Sequence, residues 1–215
     1  MEGRGVADRT NPWLSKPPVD PEPTTPPVVA DVSSRPTGPA SPQRGVPAPD
    51  RVDQLPTVAH HRTGDLWWLG VHGGAGESTL AGLQPTWPAA EHAWPHHPPG
   101  SDPAHVVLVA RSNMRGLRAA QTASTQWASG LVPFVEVLGL VIIMDAPGRL
   151  PRPLREYAQV VAGGVPRVWR LPWVEPWRMG EPVVLDDAPR AVRRLVDELS
   201  VLIGAPSTTN RKEES

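Results

Sequence analysis

The segment LWWLGVHGGAGESTLAGL, residues 66–83, decides the fold class, because it joins an apolar run, a glycine loop and a helix-forming stretch. LWWLGV (66–71) is short and continuously apolar, which is typical of a strand buried on both faces of a parallel sheet. GGAG then forms a loop, and STLAGL can start a helix. Strand, glycine loop and helix in this order predict the opening of a βα unit.

Downstream of this unit, apolar runs alternate with helix-forming stretches. The predicted strands are HVVLVA (105–110), VEVLGLVIIM (135–144) and RVWRLPW (167–173). The predicted helices run from the N-cap candidates Ser112 and Asn113 to Trp127, over PLREYAQVVAGG (153–164), and from near Asp187 to Gly204. This order predicts a three-layer, Rossmann-like α/β fold, a parallel sheet with flanking helices and a ligand edge at the glycine loop.

Prolines set the domain boundaries. The chain has 29 Pro in 215 residues, and they are concentrated in residues 1–62 and in the stretch 84–104. Residues 1–62 contain few large apolar side chains, so we predict a disordered Pro-rich region there, and a long loop at 84–104. The predicted organisation is therefore a disordered region (1–62), one domain (63–204) and a disordered polar tail (205–215).

Composition excludes several classes of function. A formal net charge of -1 provides no overall field for nucleic acid, so direct nucleic-acid binding is not expected. The chain has no Cys, which excludes disulfides, thiolate metal sites and a cysteine nucleophile. The most apolar stretch, residues 131–144, is interrupted by Pro133 and Glu136 and is too short for a membrane span. We expect a cytoplasmic protein.

The string HGGAGEST, residues 72–79, resembles the deviant Walker A loop of the MinD/ParA family of P-loop ATPases, KGGxGK[ST][ST]. The matching residues are Gly73, Gly74, Gly76, Ser78 and Thr79. VVLVARSNMRGLRAAQ, LGLVIIMD and the closing segment from RVWRLPW onward also resemble family segments in the same order. The resemblance covers roughly residues 65–204. It implies a P-loop fold and a degenerate nucleotide-binding loop formed by Gly73, Gly74, Ala75, Gly76, Glu77, Ser78 and Thr79.

Both family lysines are missing from this loop. His72 occupies the signature position and Glu77 the Walker A position. Two unit charges ~4 Å apart repel by ~4 kcal/mol at an effective dielectric constant of about 20, so a carboxylate here disfavours phosphate. We therefore expect ATP and Mg²⁺ binding to be weak or absent. One of three arginines could supply the missing cation: Arg111, Arg115 or Arg149.

Metal ligands in this loop are also predicted from the resemblance. Ser78 follows the lysine position, where the family hydroxyl binds Mg²⁺, and Asp145 is a candidate contact to the same ion. In one assignment VIIMDAPG is the metal-binding strand of the family. We favour the alternative that this strand is absent, because the segments after Asp145 fit the end of the family.

Three other groups of residues are candidate functional sites, and each gives a weaker prediction than the glycine loop. An esterase is excluded because Ser112 lacks a G-x-S-x-G turn and no histidine follows His105. His92, His96 and His97 are interrupted by Pro95, which favours a loop over a zinc site. Arginine and tryptophan interleave in RVWRLPWVEPWR, and we favour packing over recognition for these aromatics. The candidate interaction surface is Trp169, Trp173 and Trp177.

The sequence thus predicts a degenerate MinD/ParA-like domain without catalytic residues, a pseudo-ATPase that acts through an unknown protein partner or as a homodimer. The alternative is a slow ATPase of partitioning or mobile-element type, with an arginine in place of the lysine.

Overall fold

The computed structural model describes residues 36–60, 64–98 and 100–204, and all of them fall within one compact unit of the chain. Residues 1–35 and 205–215, for which disorder was predicted, lie outside the described residues. The described strands are β1 (Thr57–Ala59), β2 (Trp67–Gly70), β3 (Trp94–His96), β4 (Ala104–Arg111), β5 (Val135–Ile143) and β6 (Val168–Leu171). The helices are α1 (Glu77–Ala81), α2 (Met114–Ala128), α3 (Arg152–Ala162), α4 (Glu175–Arg178) and α5 (Arg190–Gly204).

Four parallel strands form the main sheet, in the order β2-β4-β5-β6. Their register aligns apolar residues, with Leu69 opposite Leu108 and Leu108 opposite Leu140. Such strands are buried on both faces, which explains why each one is a nearly continuous apolar run in the sequence. The predicted α/β fold with a parallel sheet is confirmed.

Helices cover both faces of this sheet. Along β4, alternate residues enter different cores, with Val106 and Leu108 on one face and Val107 and Val109 on the other. The first core is closed by residues of α2 and α3, and the second by residues of α1 and α5. Because side chains alternate across a strand, this separation produces three layers.

The predicted helix starts and stops are confirmed in part. Asn113 is the N-cap of α2, since its Oδ1 accepts a hydrogen bond from the backbone N of Gly116 at 2.8 Å. The last helix begins at Arg190, directly after Pro189, rather than at Asp187. Its buried residues repeat at helical spacing and face the sheet: Val192, Leu195, Val196 and Leu199.

A second, two-stranded sheet joins β1, which lies in the region predicted to be disordered, to β3, which lies in the stretch predicted to be a loop. β1 pairs in parallel with β3, with Thr57 opposite Trp94, and the side chain of Trp94 is fully buried. In addition, the backbone N of Trp68 donates to the carbonyl of Pro88 at 2.9 Å, which extends the edge of β2. The prolines exclude a central strand but allow these short edge pairings, so the loop prediction for 84–104 was wrong at these positions.

Residues 36–60 also depart from the predicted disorder, because they lie against the domain. The backbone N of Thr37 donates to the carbonyl of Pro166 at 2.9 Å. The buried side chain of Gln126 accepts from Leu55 N at 2.9 Å and donates to Leu55 O at 3.0 Å. A segment that is too polar for a core of its own can still gain order from hydrogen bonds to a folded neighbour.

Within the described residues, the longest helices are α2 and α5, and neither they nor the shorter helices could cross a bilayer.

Candidate functional site

The glycine loop, residues 71–76, joins the carboxyl end of β2 to α1. Gly74 and Gly76 have φ values of 76° and 107°, a left-handed conformation that side chains rarely adopt. A Cβ on Gly76 would also lie 2.8 Å from Cδ1 of Ile143. The loop therefore requires glycine at these two positions, and it lies at the edge where α/β sheets bind ligands.

Glu77 is the first residue of α1, and its side chain turns toward β2. Its Oε2 accepts a hydrogen bond from the backbone N of Gly70 at 2.6 Å, and its side chain is only 9% exposed. Gly70 is buried at the end of β2, where its N–H needs an acceptor. The carboxylate thus has a structural role, which the sequence analysis did not foresee.

His92 completes this arrangement from the other side of the carboxylate. Its Nδ1 lies 3.1 Å from Oε1 of Glu77 and 2.8 Å from the carbonyl oxygen of Gly70. Both oxygens accept, so Nδ1 carries the proton. Glu91 and His92 have φ values of 54° and 61°, and such strain costs on the order of 1 kcal/mol or more per residue. The strained turn places His92 against Glu77 and the Gly70 carbonyl, and these contacts help to offset its cost.

His72, in the glycine loop, makes a hydrogen bond through each ring nitrogen. The backbone N of Arg111 donates to Nε2 at 3.2 Å, and Nδ1 lies 2.9 Å from the carbonyl oxygen of Gly73. Since a backbone N–H can only donate, Nε2 accepts and Nδ1–H donates. In this tautomer the ring is neutral, so His72 supplies no positive charge to the loop.

Arg111 is the cation at the loop. Its Nε donates to the carbonyl of Gly74 at 3.2 Å, and its Nη1 to the carbonyl of Met144 at 3.4 Å. Burial lowers the pKa of the Arg111 guanidinium, Asp145 raises it, and Arg178 lowers it. Of the three arginines that the sequence offered, the structure thus assigns Arg111 to the glycine loop.

The structure places the two predicted Mg²⁺ ligands, Ser78 and Asp145, on a helix and in a loop, respectively. Ser78 is exposed on α1, and Asp145 is exposed just after β5. The backbone N of Asp145 donates to Oγ of Ser112 at 3.0 Å, and its carboxylate acts electrostatically on Arg111. Across 36–60, 64–98 and 100–204, no group of three or more His, Cys, Asp or Glu side chains is arranged to hold a metal ion.

The three histidines of the proline-rich stretch have separate neighbours. The ring of His96 packs edge-on against Phe134, with centroids 4.8 Å apart, and that of His97 lies 5.9 Å from the ring of Trp67. His92 contacts Glu77 as described above. Packing therefore accounts for His96 and His97.

The predicted tryptophan surface requires one correction. Trp169 is fully buried, and its Nε1 donates to Oε2 of Glu198 at 2.8 Å, so it belongs to the core and to no interaction surface. It lies on β6, where alternation turns its side chain toward α5. Trp173 and Trp177 are partly exposed. Both line a small cavity of about 20 Å³ beside the loop, together with Gly76, Thr79, Arg111 and Arg178.

A much larger cavity, about 880 Å³, lies at the opposite edge of the sheet. Asp65, which precedes β2, and Ala104, which begins β4, are among its lining residues. It is therefore separate from the glycine loop, and the size of a cavity alone does not define a site.

These observations define a three-layer α/β domain with a glycine loop after the first strand of its main sheet. The chain belongs to a family of unknown function, DUF6668, whose model matches residues 64–196. The matched range contains the glycine loop, Arg111 and the segment with Trp173, Trp177 and Arg178. No curated protein and no solved structure matches the chain.

Proposed function

We propose that this domain is a degenerate MinD/ParA-like P-loop module that does not hydrolyse nucleotide and acts by binding another protein. One observation carries the proposal. The side chain at the Walker A lysine position is a buried carboxylate, and its oxygens are engaged by Gly70 N–H and His92. Phosphoryl transfer needs a cation at that position.

The remaining loop contacts support the same conclusion. Neutral His72 bonds to Gly73 O and Arg111 N, and Arg111 donates to Gly74 O. The loop is thus held by bonds within the protein. Arg111 Nε could donate to a triphosphate only by giving up its bond to Gly74 O, which reduces the free energy available for nucleotide binding.

A slow ATPase is the second candidate, and Arg111 is the observation in its favour. A guanidinium bonded to the glycine loop is a cation of the type that binds phosphate. In this hypothesis Arg111 replaces the missing lysine, and Ser78 and Asp145 contact Mg²⁺.

Calorimetry of the full chain with ATP or GTP and Mg²⁺ tests the proposal. We expect no binding and no phosphate release. Nucleotide binding with turnover that Ser78→Ala abolishes would overturn the proposal. The Arg111→Gln variant then separates the two hypotheses, because the ATPase hypothesis requires that this variant lose the nucleotide affinity of the wild type.

A further inference from the structure

Two arginines and two tryptophans from different elements converge beside the glycine loop. Arg111 ends β4, Trp173 follows β6, and Trp177 and Arg178 belong to α4. These four residues, the arginine–tryptophan cluster, line one side of the 20 Å³ cavity next to Gly76. Their convergence is a property of the fold, since Arg111 and Trp173 are 62 positions apart in the sequence.

The cluster brings two positive charges together, and one neighbouring carboxylate, that of Asp145, partly compensates the charge of Arg111. Arg111 and Arg178 are close enough to interact unfavourably, and the acid that acts on Arg111 is the exposed Asp145. In the described part of the chain, Arg178 forms no salt bridge. Two guanidinium groups at one cavity favour an anion between them, because an anion would relieve their repulsion.

The volume of the cavity limits the size of the anion that it can hold. A volume of about 20 Å³ is enough for one group of the size of a water molecule. One oxygen of a carboxylate fits such a space without movement of the side chains, whereas a triphosphate does not. The preformed site therefore suits a single acidic side chain.

Apolar side chains line the cavity beside the two arginines. Trp173 and Trp177 are partly exposed, and Val174 and Ile143 also line it. Exposed tryptophan and arginine side chains side by side are typical of the residues that dominate protein–protein binding. This composition favours a peptide that carries an apolar residue next to its acidic one.

We propose that the arginine–tryptophan cluster binds an acidic peptide segment of a partner protein. One carboxylate lies between Arg111 and Arg178, and an adjacent apolar side chain packs on Trp173 and Trp177. This inference rests on the proposed function as a protein-binding module and specifies its site and the chemistry of its partner. The glycine loop serves as the rigid floor of the site.

Fluorescence anisotropy with the full chain tests the inference. The probe is a fluorescein-labelled peptide of three Gly-Glu-Leu repeats, and its control has Gln in place of each Glu. We expect binding of the glutamate peptide, at least about tenfold weaker binding of the glutamine peptide, and a similar loss in Arg178→Gln. Arg155→Gln, an exposed arginine on α3, is the matched control and should bind like the wild type.

Three results would overturn the inference. They are equal affinity for the two peptides, an unchanged affinity in Arg178→Gln, or an equal loss in Arg155→Gln. Adding ATP and Mg²⁺ distinguishes its failure from that of the proposed function. No binding of either peptide or nucleotide removes this inference alone, whereas hydrolysis of nucleotide without binding of the glutamate peptide removes both.

Discussion

Replacement of Glu77 by alanine should destabilise the domain because the backbone amide of Gly70 loses its hydrogen-bond acceptor. In the wild type, Gly70 N–H donates to the Glu77 carboxylate at 2.6 Å, and the carboxylate side chain is 9% exposed. Alanine leaves this buried N–H without its acceptor. A buried donor that loses a charged partner costs about 1–3 kcal/mol, and we expect about 2–3 kcal/mol because the bond is short and shielded from water.

Urea denaturation followed by circular dichroism measures this loss of the free energy of unfolding, and calorimetry should show a melting temperature lower by about 5–10 °C. Glu77→Gln retains an acceptor and should lose only about 1 kcal/mol. Glu156→Ala is the control, since Glu156 pairs with Arg152 at 2.7 Å but is 57% exposed. Its loss should stay below about 0.5 kcal/mol.

The role assigned to Glu77 is wrong if Glu77→Ala and Glu156→Ala are equally stable. Hydrogen exchange adds a local measurement, because the Gly70 amide should exchange faster in Glu77→Ala than in the wild type at equal global stability. Slow exchange at Gly70 in the variant would show that another group accepts this hydrogen bond.

Three further predictions concern other parts of the domain. His105 Nε2 and Glu136 Oε2 form an ion pair at 3.6 Å. Contact with Glu136 raises the pKa of His105 above 6.5, and contact with His105 lowers the pKa of Glu136 below 4.5, so the pair stabilises the fold mainly between these values. His105→Gln should therefore be less stable than the wild type at about pH 5.5 and equally stable at about pH 8.5 in urea titrations. Trp169→Ala should lower the free energy of unfolding by about 3–5 kcal/mol, and a loss below about 1 kcal/mol would contradict its core position. Gln126→Ala should accelerate hydrogen exchange of the Leu55 amide without a comparable change in the main sheet, and unchanged exchange would contradict the docking of residues 36–60.

The main sheet could be predicted from sequence because its signal is local. A parallel strand buried on both faces must be apolar at successive positions, and few other short segments have that pattern. The sequence predicts β4 at 105–110, and the strand is Ala104–Arg111. It predicts β5 at 135–144, and the strand is Val135–Ile143. Strand ends differed by one residue because hydrogen bonding, and not hydropathy, decides where pairing stops.

The second sheet and the docked segment could not be predicted in this way. Their order depends on partners that are distant in sequence, such as Gln126 for Leu55 and Trp94 for the strand at 57–59. High proline content by itself predicts disorder. Proline removes a donor, but it does not prevent a segment from accepting hydrogen bonds, as the carbonyl of Pro88 does from Trp68 N.

Only the part of the candidate site in which glycine permits a left-handed backbone conformation could be predicted from the sequence. The glycine loop was located from sequence, whereas the contact between Glu77 and His92 depends on two left-handed residues that are not glycine. Nothing in the local sequence indicates that conformation. Arg111 could be named only as one of three arginines, because the choice depends on which strand end faces the loop. Trp169 was assigned to a surface together with Trp173 because sequence spacing alone does not show which of them faces the core.

The carboxylate of Glu77 contacts both Gly70 N–H and His92, so a lysine at position 77 would change the contacts of all three residues. An ammonium group only donates, so a lysine at position 77 could neither accept from Gly70 N–H nor pair with His92. The strained turn at 91–92 would lose the contact that maintains it. A conversion to the lysine motif would therefore require changes in the turn as well as at position 77. The carboxylate of Glu77 is therefore the acceptor on which the contacts of Gly70 N–H and His92 in this loop depend.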